Sequence, residues 1–211
     1  MKLYTYWRST SSYRVRIALA LKNLEVEQAT IHLVRNGGEQ HGEAYRALNP
    51  QERVPTLVLD DGTALTQSPA IIEYLEETYP APPLLPSDLT QRAKVRAVAA
   101  IIGCDIQPLH NLSPLTYLRR TLGQAEPKVS AWIATWAGSG LKAVEALIGD
   151  GPYCFGDAPG LADVYLIPQL YAARRFGVPL DAYPRIRRVE AEAEGHPAFV
   201  KAHPANQPDS E

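Results

Sequence analysis

Cysteine is scarce in this 211-residue chain: Cys104 and Cys154 stand far apart and in no Cys-x-x-Cys spacing. That count excludes a disulfide framework and a cysteine-ligated zinc site, and both thiols are expected to be buried and reduced. An excess of charge of one sign is missing too, since 21 Lys and Arg face 23 Asp and Glu, for a formal net charge of -2. With no global positive field, neither nucleic acid nor an anionic membrane surface is an expected partner. No apolar run approaches the roughly 20 residues that cross a bilayer. Met1-Lys2-Leu3-Tyr4 leads straight into a strand-like pattern without a signal-peptide core, so a cytoplasmic location is expected. The five histidines include no i, i+4 pair, and no metal site is expected; Walker loops and Gly-x-Ser-x-Gly elbows are absent as well. What the chain does have is 45% hydrophobic residues, enough over this length for a packed core.

Strand and helix patterns alternate through residues 1–80. Lys2 to Tyr6 reads as a strand, and Ser11 or Ser12 can cap a helix whose Val15, Ile17, Ala18, Leu19 and Leu21 form an apolar side. Val26 to Leu33 is the next strand, and a weak helix follows that ends near Asn49-Pro50. Thr56 to Leu59 and Thr63 to Leu65 flank Asp60-Asp61-Gly62, the chemistry of a hairpin turn, so the order predicts a mixed sheet of four strands. Ser68-Pro69 then opens a helix as N-cap and first residue. Prolines crowd the stretch 81–86, which neither helix nor ladder can continue, and the domain boundary is expected there. Residues 87–211 read as all-α, with helices over Gln91 to Ile106, Ser113 to Leu122, Pro127 to Ile148, Leu161 to Arg175 and Pro184 to Glu194, and an irregular tail after His196.

Two segments invite a chemical reading. Gly138-Ser139-Gly140-Leu141-Lys142-Ala143 spells a Gly-x-Gly-x-x-Ala dinucleotide fingerprint by letter. It lacks the preceding strand that the mechanism needs, and its place inside a continuous helical pattern favours close packing at small residues. Ser9-Thr10-Ser11-Ser12, four consecutive hydroxyls between the first strand and the first helix, exceeds what one helix cap requires. A helix N-terminus with free N–H groups and hydroxyl donors favours an anion, and a thiol bound there is stabilised as thiolate.

The run Arg8-Ser9-Thr10-Ser11-Ser12-Tyr13-Arg14-Val15-Arg16 resembles the Ser-Ser-Cys motif region of zeta-class glutathione S-transferases, the class that includes maleylacetoacetate and maleylpyruvate isomerases. The likeness continues through Asn49-Pro50, Val54-Pro55-Thr56-Leu57, Gln67-Ser68-Pro69-Ala70-Ile71, Gln107-Pro108-Leu109-His110-Asn111, Leu161-Ala162-Asp163, Ala173-Arg174-Arg175-Phe176 and Gln207-Pro208-Asp209. It implies a two-domain glutathione transferase fold, with a thioredoxin-like α/β N-terminal domain, an all-α C-terminal domain and a homodimer. It also implies glutathione as cofactor. Ser9 would face its sulfur, with Thr10 and Ser11 beside it; Ser11 stands where the family commonly has cysteine. A cis bond at Val54-Pro55 would pair the Val54 backbone with the cysteinyl part, Gln67 and Ser68 would hold the γ-glutamyl end, and His110 and Asn111 would reach glutathione across the dimer. For the last two, polar residues at a helix break is an equal reading. Arg8 and Arg175 would hold the carboxylates of a small dicarboxylate substrate, as a planar guanidinium suits a carboxylate.

The activity implied is glutathione-dependent cis–trans isomerisation of a maleyl keto acid. Leu112-Ser113 stands where maleylpyruvate isomerases can carry a basic pair, which favours maleylacetoacetate. Conjugation or dehalogenation of a small α-halo acid shares the same thiolate, and a non-catalytic glutathione-fold binding module is the reading from another class. Gly160 replaces the usual Ser or Thr helix cap, so Gly160→Ser is expected to stabilise the protein slightly, with Asp163 as the remaining cap side chain.

Overall fold

A computed structural model describes residues 1–211. The chain forms two compact units, Met1–Pro83 together with Gly195–Glu211, and Leu84–Glu194.

In the first unit the elements follow as β1 (Lys2–Thr5), α1 (Thr10–Leu21), β2 (Glu27–Thr30), α2 (Glu43–Leu48), β3 (Thr56–Val58), β4 (Ala64–Thr66) and α3 (Ser68–Thr78). The sheet order is β2-β1-β3-β4. Helix α1 provides the crossover that lets β2 pair parallel to β1, whereas β3 runs antiparallel to both β1 and β4. The β3–β4 turn is made by Gly62 at φ 87° and by Asp61 Oδ1, which accepts from Thr63 N–H at 2.8 Å. Strand β2 is shorter than the pattern Val26 to Leu33 because its partner, β1, ends at Thr5. Leu3 and Leu57 of the sheet, Val15, Ile17, Ala18 and Leu19 of α1, and Ile71, Ile72 and Leu75 of α3 are all buried. Each large aliphatic side chain among them contributes about 1.5–3 kcal/mol by leaving water.

The second unit is helical: α4 (Leu89–Ala100), α5 (Leu112–Thr116), α6 (Glu126–Leu147), α7 (Leu161–Arg175) and α8 (Pro184–Gly195). Asp88 Oδ1 caps α4 by accepting from Gln91 N–H at 2.8 Å. Beyond Ala100 the helix widens into a π segment, Ile101–Ile106, and tightens into a 3₁₀ turn, Gln107–His110, where Pro108 lacks a donor. Helix α7 runs on through Pro168. Gly138 and Gly140 lie inside α6, and a Cβ on Gly140 would come within 2.3 Å of Ile106 Cγ1, so close packing accounts for the glycine without a nucleotide. No helix is long and apolar enough to cross a membrane. Cys154 is buried, which pushes its thiol well above the usual range, with nearby Asp163 adding to the effect. Cys104, expected inside, is exposed: it sits on the open side of the π segment.

Two further expectations are corrected. The tail after His196 is ordered as α9 (Pro197–Ala202) and a 3₁₀ turn, Pro204–Asn206, and it packs with the first unit rather than extending the helical one. Its anchor is Arg16, whose Nε donates to Ala202 C=O at 3.1 Å, beside the edge-on ring pair Tyr13–His203. At the start of α7, Gly160 is the N-cap and Asp163 Oδ2 accepts from its N–H at 2.8 Å. A Cβ on Gly160, however, would lie 2.9 Å from Leu84 C=O, which itself accepts from Leu161 N–H at 2.8 Å. The missing side chain is therefore a close-approach requirement, and Gly160→Ser is expected to destabilise the protein where the cap rule alone favours serine.

Candidate functional site

The register of the sheet builds the site. Tyr4 faces Thr56 across β1 and β3, and Thr56 faces Thr66 across β3 and β4. The exit of β1, the entry of β3 and the exit of β4 therefore lie side by side at one end of the sheet. Those three positions lead to Trp7-Arg8-Ser9, come from Val54-Pro55, and lead to Gln67-Ser68 respectively. Two helices, α1 and α3, begin at this end, so the positive ends of both helix dipoles are turned towards it.

Ser9 is the N-cap of α1, and its Oγ accepts from Ser12 N–H at 3.2 Å. The cap thus lies upstream of the Ser11 or Ser12 expected from the sequence; Ser12 supplies the capped donor. Thr10 is the first helical residue and is buried, Ser11 is half-buried, and Ser12 is fully buried with no hydrogen-bond partner for its Oγ. With a lone pair of Ser9 Oγ committed to the cap, its O–H proton is still available for donation. Arg8 is half-buried, its guanidinium 5.4 Å from the centre of the Trp7 ring.

The loop before β3 is tied by a buried polar network. Asn49 Nδ2 donates to Arg53 C=O at 2.7 Å and Thr56 Oγ1 at 3.2 Å, while its Oδ1 accepts from Gln51 N–H at 3.0 Å. Tyr45 O–H donates to Arg53 C=O at 2.5 Å and meets Thr56 Oγ1 at 2.9 Å. Burial pushes the Tyr45 phenol up, which keeps it a donor. The Val54–Pro55 bond is cis, as the resemblance implies. Val54 is buried with Tyr6 and Tyr45, and its backbone N–H and C=O make no hydrogen bond within the protein.

Gln67, at φ 69°, is the N-cap of α3 and makes no side-chain cap bond; its Nε2 donates to Gln51 Oε1. Ser68, expected as the cap, is instead the first helical residue and is buried, with Pro69 second. The shift arises because the chain leaves β4 through the left-handed turn at Gln67. An uncapped helix N-terminus beside an unpaired strand-like edge and a hydroxyl-rich helix N-terminus offers donors for a carboxylate, a peptide backbone and a thiolate. Glutathione carries those three groups, so the residues present fit it.

In the second unit His110 is buried, its Nε2 3.0 Å from Gln169 Oε1 and its ring 5.4 Å from that of Phe176. Asn111 caps α5, with Oδ1 accepting from Leu112 N–H at 2.8 Å. Arg175 ends α7 exposed, its guanidinium 4.5 Å from the centre of the Phe176 ring, whereas Arg174 pairs with Glu190 at 2.7 Å.

Sequence reasoning assigned no role to Tyr45, and named Asn49 and Arg16 only within motifs. Arg16 is buried in the first unit, donating through Nη2 to Trp7 C=O at 2.9 Å and through Nη1 to Tyr6 C=O at 3.3 Å and Thr5 Oγ1 at 3.1 Å. Its signal was there to read: a charged residue between Val15 and Ile17 on an otherwise apolar helix face.

A thioredoxin-like sheet with paired helix N-termini, followed by an all-helical unit, defines the class as glutathione-transferase-like. Residues 3–83 match the family described as glutathione S-transferase, N-terminal domain, and residues 137–191 match glutathione S-transferase, C-terminal domain. The maleylacetoacetate isomerase of Pseudomonas aeruginosa is 65% identical over 210 residues, covering 100% of this chain and 99% of that protein. A solved maleylpyruvate isomerase, described as a bacterial zeta-class glutathione S-transferase, superposes with a TM-score of 0.95 at 50% identity, covering 100% of both chains. The maleylacetoacetate isomerase of Anaeromyxobacter dehalogenans, solved with glutathione in its active site, gives 0.89 at 44% identity, over 100% of this chain and 97% of that one. The chain belongs to the glutathione S-transferase family, in its zeta class.

Proposed function

We propose that this protein is a glutathione-dependent cis–trans isomerase of a maleyl keto acid, with maleylacetoacetate favoured over maleylpyruvate. The observation that carries the proposal is the convergence at one sheet end of the Ser9 hydroxyl at the α1 N-terminus, the Val54–Pro55 edge and the α3 N-terminus. Bound glutathione would supply a thiolate for addition to the cis double bond, rotation about the resulting single bond and elimination, which breaks the C–S bond, re-forms the double bond as trans and returns the thiolate. Ser9 donates its O–H to the sulfur and, with the α1 dipole and the first-turn N–H groups, favours thiolate over thiol at neutral pH. Thr10 and Ser11 flank that contact. The Val54 backbone pairs with the cysteinyl peptide, and Gln67 and Ser68 hold the γ-glutamyl carboxylate at the α3 N-terminus. Arg8 and Arg175 hold the carboxylates of the dicarboxylate substrate and oppose the negative charge that develops on its carbonyl oxygen.

The protein is further proposed to act as a cytoplasmic homodimer in which His110 and Asn111 approach the cofactor of the partner copy. Asn111 Oδ1 is committed to its cap, so Nδ2 is the group that would reach out. The test is turnover of maleylacetoacetate, maleylpyruvate and a small α-halo acid, each with and without glutathione. Isomerisation that requires glutathione and leaves its concentration unchanged is expected, fastest with maleylacetoacetate. Isomerisation independent of thiol, or halide release faster than either isomerisation, overturns the proposal.

A further inference from the structure

The backbone of Trp7 is held from both sides. Its N–H donates to Asp209 Oδ2 at 3.0 Å, and its C=O accepts from Arg16 Nη2 at 2.9 Å. Ser9 N–H returns to Tyr6 C=O at 3.0 Å, closing a turn around this clamped peptide, and Arg16 Nη1 holds the same Tyr6 carbonyl from the other direction. The residue two positions past the clamp is Ser9, whose hydroxyl must lie within hydrogen-bond reach of a sulfur atom to act as proposed. A displacement of half an ångström is enough to weaken such a contact.

Asp209 is a poor choice if only stability is at stake. Its Oδ1 is buried and has no hydrogen-bond partner, so the carboxylate is half-satisfied. A half-buried carboxylate with one oxygen desolvated and unpaired adds little net stability, because that desolvation offsets the one bond it makes. What the bond does supply is direction: it fixes the peptide plane that leads from β1 into α1. A second link joins the same two segments, since Arg16 Nε donates to Ala202 C=O at 3.1 Å. Gln207 Nε2 in turn donates to Lys201 C=O at 2.9 Å and His203 C=O at 3.0 Å, which folds the C-terminal segment back so that Asp209 arrives at Trp7.

We propose that Asp209 is a positioning residue for the thiol site: the carboxylate of the C-terminal segment and the Arg16 guanidinium clamp the Trp7 peptide and thereby place the Ser9 hydroxyl. The proposal rests on the role given to Ser9 above. It assigns to the last residues of the chain a part in the chemistry of its first ten.

The test compares full-length Asp209→Ala, Asp209→Asn and Ser9→Ala with the parent. Three readouts are taken: amide hydrogen exchange at Trp7 in the protein without glutathione, the ultraviolet thiolate titration of bound glutathione, and the unfolding midpoint. Asp209→Ala is expected to speed exchange at Trp7 by about tenfold, the equilibrium equivalent of one hydrogen bond to a charged acceptor. It is also expected to move the thiolate titration to higher pH and to lower kcat, with glutathione affinity and the unfolding midpoint close to the parent's. Asp209→Asn keeps an acceptor oxygen in place and restores both the Trp7 protection and the titration. Should Asp209→Ala fail to fold, Asp209→Leu, similar in size and without an acceptor, replaces it under the same expectations. Parent-like exchange and titration in the acceptor-free variant overturn the clamp, as does an Asp209→Asn protein as impaired as Asp209→Ala. If Ser9→Ala shifts the titration and Asp209→Ala does not, the clamp alone fails; if neither shifts it, the role of Ser9 fails and the clamp's purpose with it.

Discussion

Ser9→Ala removes two functions that reside in one atom, and the structure allows their sizes to be separated. As N-cap, Ser9 Oγ accepts from Ser12 N–H at 3.2 Å, and losing a cap of this kind costs about 1 kcal/mol. For a chain of this length that is roughly 2–4 °C in Tm. As the proposed donor to a thiolate, the hydroxyl would make a hydrogen bond to a charged group, typically about 1.5–3 kcal/mol. At about 1.4 kcal/mol for each pKa unit, the apparent pKa of bound glutathione should rise by about one to two units. Turnover at neutral pH then falls by about tenfold or more and recovers as pH is raised. Ser9→Gly separates the two effects, because glycine forfeits only a few tenths of a kcal/mol as an N-cap yet carries no hydroxyl. Its Tm should stay near the parent's while its thiolate titration follows that of Ser9→Ala. Ultraviolet absorbance of the bound thiolate against pH reads the pKa, and calorimetry reads the Tm. An unmoved pKa in both variants removes Ser9 from its role, and a rise in the alanine variant alone means that the shift came through the helix cap rather than the hydroxyl.

Arg175→Ala should raise KM for the diacid about tenfold or more, the loss of a bidentate charged contact, and leave glutathione affinity nearly intact. Arg174→Ala is the control: it breaks the pair with Glu190, an exposed bridge typically contributing about 0–1 kcal/mol, and should leave KM where it was; a KM effect at Arg174 instead means the assignment in α7 is off by one. Asn49→Ala unties Arg53 C=O, Thr56 Oγ1 and Gln51 N–H in a buried setting, so isothermal calorimetry should show weaker glutathione binding through the Val54 edge and denaturation a loss of about 2–4 kcal/mol, with the thiolate titration little changed.

Periodicity and turn chemistry make most of the architecture legible in the sequence. The hairpin at Asp60-Asp61-Gly62 and the apolar face of α3 each follow from local rules, whereas the exit of β1 joins the other two site segments only through its non-local pairing with β3. Helix starts were less legible, because Ser9, Thr10, Ser11 and Ser12 all carry a cap-competent hydroxyl and local physics does not choose among them. Ser9 N–H is tied to Tyr6 C=O, and the neighbouring Trp7 peptide is held by Arg16 and, from far along the chain, by Asp209. At α3 the cap fell to Gln67, a residue with weak intrinsic cap preference, since the turn out of β4 places it at positive φ. The roles of Asn49 and Tyr45 likewise depend on a loop network whose partners are not periodic. Residue types alone marked a thiolate site, while its glutathione came from the resemblance.

Gly160 and Asp163 show the same division between local and long-range causes, and they permit a test free of catalysis. Local rules favour serine over glycine at an N-cap, but here a Cβ would lie 2.9 Å from Leu84 C=O, and that carbonyl is fixed by Leu161 N–H. Gly160→Ser should therefore lower stability by about 1–3 kcal/mol, the usual cost of forced overpacking. Asp163 accepts from Gly160 N–H at 2.8 Å and Cys154 N–H at 2.9 Å while almost wholly buried, so Asp163→Ala leaves a buried donor at Cys154 without a partner, at about 1–3 kcal/mol, and a half-buried one at Gly160. Burial pushes the Asp163 carboxyl up, although both N–H donors pull it down. A carboxyl raised on folding contributes most below its unfolded pKa, about 3.9, and that contribution fades as pH rises through the folded value. The deficit of Asp163→Asn, which retains one acceptor, should thus be largest in acid and shrink toward neutrality. Urea denaturation of the three variants across that range, with glutathione affinity measured beside it, reads both quantities. A Gly160→Ser protein that unfolds later than the parent would show that Leu84 can yield and that the cap rule wins. An Asp163→Asn deficit that instead grows with pH would mean that the two N–H donors outweigh burial and that the carboxyl is held down, not up.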